Sequence, residues 1–160
     1  MADQMTPEQR HRCMSRIRGR DTKPELLVRR FLWRNGFRYR LYDKRLPGKP
    51  DIIMRKWHTV VFVNGCFWHG HDCDKFRLPQ TNADFWRAKI DRNRARDAVT
   101  VAKLTAMGFN VITVWECQLT KALRQQTLRS LSYTLSQIIL DQTGTAHPLA
   151  AEDETPYGKK

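Results

Sequence analysis

The chain has 160 residues, about enough for one domain built around one core. Its 29 Lys and Arg against 16 Asp and Glu leave a formal charge of +13; the commonest partner of such a surface is a polyphosphate, and the plainer alternative is a basic protein with no such partner. No apolar run approaches the about 20 residues of a membrane span, and no secretory apolar region opens the chain. This predicts a cytoplasmic protein whose cysteines Cys13, Cys66, Cys73 and Cys117 are free thiols or metal ligands, not disulfides.

Residues 6–19 surround Met14 and Ile17 with arginines and hold too few apolar positions for a core. They read as part of a basic arm over residues 1–20, either solvated or lying along nucleic acid with Met14 and Ile17 as apolar probes. Thr22, Pro24 and Glu25 then mark a helix start, with Glu25 as capping-box partner, and Gly36 marks its stop. Leu27, Val28, Phe31 and Leu32 supply the buried face. Residues 37–41 read as a short strand. Asp51 opens a second strand over 51–54, and Trp57-His58 turns the chain into a third over 59–63. An antiparallel hairpin places Asp51 beside residues 63 and 64, although an acid before a strand is more often a turn residue.

Residues 81–107 read as one long helix capped by Thr81 or Asn82 and closed by Gly108. Phe85, Ala88, Ala95, Ala98, Val99 and Ala102 suit its packed face. Trp86, Lys89, Asn93 and Asp97 form a second stripe, which is either a solvated face or a functional one. A buried strand over 110–115 delivers Glu116 and Cys117, a helix over 119–140 follows, and residues 142–160 read as an unstructured tail. The order ααβββαβα predicts one α/β domain over 21–141 with a small mixed sheet.

Chemistry concentrates after the third strand, in Gly65-Cys66-Phe67-Trp68-His69-Gly70-His71-Asp72-Cys73. Cys66, His71 and Cys73, joined by Cys117 from a distant strand end, fit a closed tetrahedral zinc site that is structural; the spacing is not a usual finger pattern, so buried free thiols remain the alternative. Asp72 faces solvent in either case. His69 is left over as an imidazole suited to general-base work near neutral pH.

Pro50-Asp51, the segment 65–73, Phe85-Trp86 with Lys89 and Asn93, and Val114-Trp115-Glu116-Cys117 together resemble the very-short-patch-repair (Vsr) DNA mismatch endonucleases over about residues 14–119. The resemblance implies a restriction-endonuclease-like fold, an α/β structure with a small mixed β-sheet flanked by helices. It implies nicking of one strand next to the thymine of a T:G mismatch left by 5-methylcytosine deamination, in double-stranded DNA, by a monomer. Catalytic Mg²⁺ is then held by Asp51 and the backbone carbonyl of Val63, and Glu25 acts through water. His69, oriented by Asp97, is the base. Cys66, His71, Cys73 and Cys117 hold structural Zn²⁺. Phe67, Trp68 and Trp86 intercalate, while Met14, Lys89 and Asn93 read the mismatch. Mismatch-repair proteins are implied as further partners, and the bacterial nucleoid as the location. Two departures stand out: the D/E-x-K half of the nuclease motif is missing, and Asn64 replaces a histidine, so this position of the catalytic group carries an amide that takes no proton.

Overall fold

The computed structural model describes residues 5–17 and 19–144. Helix α1 (Pro7–Ser15) begins at Thr6 with a complete capping box: Gln9 N–H donates to Thr6 Oγ1 at 3.2 Å, and Thr6 N–H donates to Gln9 Oε1 at 3.0 Å. It buries none of its residues. Helix α2 (Lys23–Arg34) starts where expected, with Glu25 N–H donating to Thr22 Oγ1 at 3.4 Å. The reciprocal half of the expected capping box is absent, because Glu25 Oε2 instead accepts the Asp21 N–H at 2.9 Å. Val28 and Leu32 on this helix are fully buried, and Gly36, at φ +86°, ends it in a conformation that costs other residues more.

The strand expected over 37–41 does not form. Arg40 alone bridges Ile53, through Arg40 N–H to Ile53 O at 2.8 Å and Ile53 N–H to Arg40 O at 2.9 Å. Tyr42 follows at φ +56°, turning the chain away before a ladder can extend. The sheet therefore has three strands in the order β1 (Ile52–Met54), β2 (Thr59–Asn64), β3 (Asn110–Trp115). A 3-10 turn over Arg55–Trp57 and His58 at φ +45° reverse the chain between β1 and β2. The resulting antiparallel register, Ile52 opposite Val61, brings Asp51 to the end of β2 as the hairpin argument requires. β2 and β3 are parallel, from Thr59 opposite Asn110 to Asn64 opposite Trp115, and are joined by helix α3 (Ala83–Ala106).

Alternation along β2 divides the core. Val61 and Val63 pack with Ile52, Val28, Leu32 and, from helix α4 (Arg124–Gly144), Leu128, Leu131 and Leu135. Val60 packs on the other face with Ile53, Leu46 and Leu104 of α3. The structure is the expected small mixed sheet flanked by helices.

The packed face expected for α3 is reversed. Phe85 and Val99 are 56% and 53% exposed, and Ala88, Ala95, Ala98 and Ala102 are exposed, whereas Ile90 and Leu104 are buried. Trp86, Asn93 and Asp97 are half-buried on the same stripe as Ile90 and Leu104, at the three- and four-residue steps of one helix face. Asn82 does precede the helix, but at φ +54° and without a side-chain capping bond. A 3-10 turn over Glu116–Leu119 precedes α4, which starts at Arg124, later than expected, and continues past residue 141 to Gly144. Of the expected tail over 142–160, residues 145–160 lie outside the described residues. Among the described residues no helix is long and apolar enough to cross a membrane.

Candidate active site and metal centre

The ends of β2 and β3 and the loop after β2 gather most of the residues singled out above. Asp51 Oδ2 accepts the Val63 N–H at 2.7 Å, a bond set by the β1–β2 register. Burial pushes the Asp51 carboxyl up to about 7; the Val63 bond opposes this, and the neighbouring Glu25 carboxylate, within hydrogen-bond reach, adds to it. Glu25 itself is 3% exposed in the first turn of α2. Two acids thus share a poorly solvated place, an arrangement that a divalent cation relieves and that oxygen donors suit.

After β2 the backbone winds through His69 N–H to Gly65 O at 3.4 Å, Gly70 N–H to Phe67 O at 3.3 Å and His71 N–H to Cys66 O at 2.9 Å. Gly70 sits at φ +57°, and a Cβ there would lie 2.5 Å from Ile90 Cγ2, so only glycine lets this loop rest on α3. One face of the loop presents His69, whose Nδ1 meets Asp97 Oδ2 at 2.5 Å. That contact fixes the ring and leaves Nε2 as the second nitrogen. Asn64 ends β2, half-buried and opposite Trp115.

The other face of the loop carries Cys66, His71 and Cys73, which meet Cys117 so that all four ligand atoms lie within 4.8 Å of one another. Cys66 is buried, and burial pushes its thiol up to about 12 without a cation; the Cys117 N–H donates to its sulfur at 3.4 Å. Trp115 stacks on His71 at 4.1 Å between centroids and 8° between planes, which orients the imidazole. Three thiols and one imidazole at these separations are a soft donor set that can hold a metal ion. Asp72 is exposed, as expected, and Cys13 is exposed on α1, away from any such group.

Beside the loop, Phe67, Trp68 and Trp86 form one aromatic cluster, with centroids 5.1 Å apart for Phe67–Trp68, 5.3 Å for Phe67–Trp86 and 6.0 Å for Trp68–Trp86. Lys89 Nζ lies over Trp68 at 5.3 Å and Trp86 at 5.4 Å. Asn93 Nδ2 donates to the Trp68 carbonyl at 2.8 Å, so its amide is engaged within the protein. Met14 and Ile17 stand apart, 36% and 50% exposed on and just beyond α1.

Three features escaped the sequence reading. Phe76 and Phe85 extend the aromatic cluster, at 6.3 Å from Phe67 and 5.4 Å from Trp86. Trp115 was read as strand core and is half-buried against His71. Arg29 was not singled out on α2 and is a buried partner of Glu25 at 2.8 Å. A lone Phe76 in a polar loop was the one local signal for the first of these; nothing local marks Arg29.

Comparison with known proteins places this geometry. A family model described as DNA mismatch endonuclease Vsr matches residues 2–75, the segment holding Glu25, Asp51, His69 and three of the four soft ligands. The type II nicking enzyme V.NmeAIP of Neisseria meningitidis serogroup A is 49% identical over 132 residues, covering 82% of this chain and 94% of its own. The type II nicking enzyme V.XorIIP of Xanthomonas oryzae pv. oryzae is 46% identical over 119 residues, 74% of this chain and 88% of its own. The DNA mismatch endonuclease Vsr of Escherichia coli is 39% identical over 119 residues, 74% of this chain and 76% of its own.

Proposed function

The chain belongs to the DNA mismatch endonuclease Vsr family and is an endodeoxyribonuclease of restriction-endonuclease-like fold, and from that premise we propose that it nicks one strand of duplex DNA next to the thymine of a T:G mismatch. Mg²⁺ is the catalytic cation and Zn²⁺ the structural one in this reading. The observation that carries it is the convergence at one sheet end of Asp51 on the Val63 backbone, at 2.7 Å, with the His69–Asp97 pair, at 2.5 Å.

Phosphodiester hydrolysis needs an activated water, neutralised phosphoryl oxygens and a stabilised leaving alkoxide. Bound Mg²⁺ supplies charge neutralisation at the phosphate and the leaving oxygen. Asp51 and the Val63 carbonyl would hold it, with Glu25 beside them directing water. His69 takes a proton from the attacking water at Nε2, since Nδ1 is committed to Asp97, and Asp97 steadies the imidazolium that forms. Asn64 positions water or phosphate by hydrogen bonding and takes no proton.

Cys66, His71, Cys73 and Cys117 would hold Zn²⁺, which would join the loop after β2 to the end of β3 and stiffen the platform beneath Phe67 and Trp68. Phe67, Trp68 and Trp86 act as wedges that unstack the duplex, at a cost of about a few kcal/mol per step that is smaller at a weakened pair. Lys89 and Asn93 test the mispaired edges, and residues 1–20 form an arm that brings Met14 and Ile17 to the other groove; Asn93 must exchange its bond to Trp68 for one to a base. The domain over 21–141 works as a monomer in the bacterial nucleoid and hands the nick to mismatch-repair proteins. The test is to incubate the protein with duplexes carrying each single mispair, with and without Mg²⁺, and to map the ends. Single-strand cuts confined to T:G duplexes with Mg²⁺ are expected, and cutting of both strands of matched DNA overturns the reading.

A further inference from the structure

Arg29 has no part in the roles above, yet it is among the most elaborately bonded side chains of the core. It is 6% exposed. Its Nη2 donates to Glu25 Oε2 at 2.8 Å and to the Tyr42 hydroxyl at 2.7 Å, and its Nη1 donates to Asp21 Oδ1 at 2.7 Å. The Tyr42 hydroxyl donates in turn to Asp21 Oδ1, and the Asp21 N–H donates to Glu25 Oε2 at 2.9 Å. Both bonds that Glu25 receives thus fall on one oxygen, from two groups that are themselves tied together.

Stability alone is a poor reason for this arrangement. A buried ion pair contributes little net against apolar packing. Arg29 Nε is buried without a partner, and Asp21 and Tyr42 each hold φ at +56°, in the left-handed region that L residues seldom adopt. Such backbone conformations persist where surrounding structure over-determines them, and they cluster at functional sites.

Glu25 sits in the first turn of α2, where an unrestrained side chain has several rotamers. Its neighbour Asp51 is a second carboxylate within hydrogen-bond reach, and the two repel when both are charged. Without a countercharge and a fixed oxygen, Glu25 turns away. A guanidinium supplies both, because its planar fork spans Glu25, Tyr42 and Asp21 at once, which a lysine ammonium does not. We infer that Arg29, braced by Asp21 and Tyr42, is a positioning residue of the catalytic carboxylate pair: it fixes Glu25 against Asp51 and so sets the rate of hydrolysis without touching DNA. The inference rests on the reading of Asp51 and Glu25 as the cation-holding pair.

The test compares Arg29→Lys and Tyr42→Phe in the full chain, alone and combined with Glu25→Gln, on a T:G duplex in Mg²⁺. Expected are melting temperatures within a few degrees of wild type and unchanged affinity for the T:G duplex without divalent cation. Nicking kcat falls about tenfold or more for Arg29→Lys and about threefold for Tyr42→Phe, a split that a scaffold role does not produce. In the Glu25→Gln background Arg29→Lys causes no further loss, because it acts through that carboxylate. A kcat within twofold of wild type for Arg29→Lys overturns the inference, and so does a full multiplicative loss on top of Glu25→Gln or a parallel loss of DNA affinity. Should Arg29→Lys fail to fold, Tyr42→Phe decides, its wild-type kcat overturning the role. Asp51→Ala separates the two levels: normal nicking there sinks the metal-site reading, whereas an inactive Asp51→Ala beside a fully active Arg29→Lys sinks only the role of Arg29.

Discussion

The soft-ligand group and the carboxylate pair stand at the same end of the sheet, and they are built on opposite principles. In the first, four donors come within 4.8 Å of one another from two distant segments, with Trp115 stacked on His71. A cation that takes all four leaves nothing to react, and its binding energy goes into joining the loop to β3. In the second, Asp51 is held up at about 7 by burial and by Glu25, so the folded chain keeps a group that its surroundings disfavour in the charged form. One cluster consolidates the fold and the other is maintained at the fold's expense.

Removing the metal from the first cluster gives the largest expected effect. Cys73→Ser or Cys117→Ser, or a strong zinc chelator, is expected to abolish cooperative melting and activity together, and elemental analysis of wild type is expected to give about one zinc per chain. Zinc-free protein that still melts cooperatively and nicks would collapse the distinction between the two clusters.

Asp51→Asn should act in the opposite sense. It is expected to lower nicking by about 10³-fold or more at any Mg²⁺ concentration, since a neutral amide neither holds the cation nor offsets its charge, while the T:G duplex still binds. The stability sign follows from the direction of the shift. Below the ordinary carboxylate range Asp51 is neutral in both folded and unfolded chains; as pH rises toward about 7 the unfolded chain gives up a proton that the folded one retains, and stability falls. Removing the charge therefore raises the stability of the protein without Mg²⁺ at pH 8, by at most about 4 kcal/mol for a three-unit shift, and the gain vanishes near pH 4. Thermal melts at both pH values, with the soft-ligand cluster loaded with zinc and no Mg²⁺ added, check it.

The same contrast governs what was legible in the sequence. Cys66, His71 and Cys73 and the hairpin that aims Asp51 at Val63 were legible because spacing and strand register are local facts, Cys117 joined them only as a thiol at a distant strand end, and the structure gathers all four. The inward face of α3 was misread. Hydrophobic periodicity assigns the inside to Phe85, Val99 and the alanines, but the helix lies against a site, so its inward stripe holds Trp86, Asn93 and Asp97 between the buried Ile90 and Leu104. Arg29 was invisible for a related reason: an arginine one turn after an acid on a helix reads as a solvated pair, and only the return of the chain through Tyr42 buries it.

The His69–Asp97 pair offers a graded version of the comparison. His69→Ala is expected to reduce kcat by about 10²–10⁴-fold, the usual contribution of a positioned general base, and Asp97→Asn by less, since the ring remains while its orientation is lost. Single-turnover nicking at saturating protein reads both. Equal losses from the two variants would mean that Asp97 does more than orient the ring.

The smallest expected effects concern the proposed wedge, whose Phe67 and Trp68 lie on the loop that carries three of the soft ligands. Phe67, Trp68 and Trp86 lie edge to face at 5.1–6.0 Å, a rigid surface already assembled without DNA. Lys89 holds its ammonium over two of these rings at 5.3 and 5.4 Å, so in the free protein its charge is directed at the surface a base pair would meet. Trp68→Ala and Trp86→Ala are therefore expected to weaken nicking at T:G by about tenfold each, in line with about 1–3 kcal/mol per stacked base, while binding to matched DNA, which rests on phosphate contacts, changes little. Lys89→Ala removes one polar probe and is expected to narrow the T:G preference over T:A by about fivefold, near the lower end of what a good base contact contributes. Because Lys89 also bridges Trp68 and Trp86, Lys89→Met separates the two roles: it keeps an apolar stem against the rings but loses the charge, so discrimination falls while the melting temperature stays. Folded variants that retain full T:G discrimination would show that the rings pack against one another and nothing more.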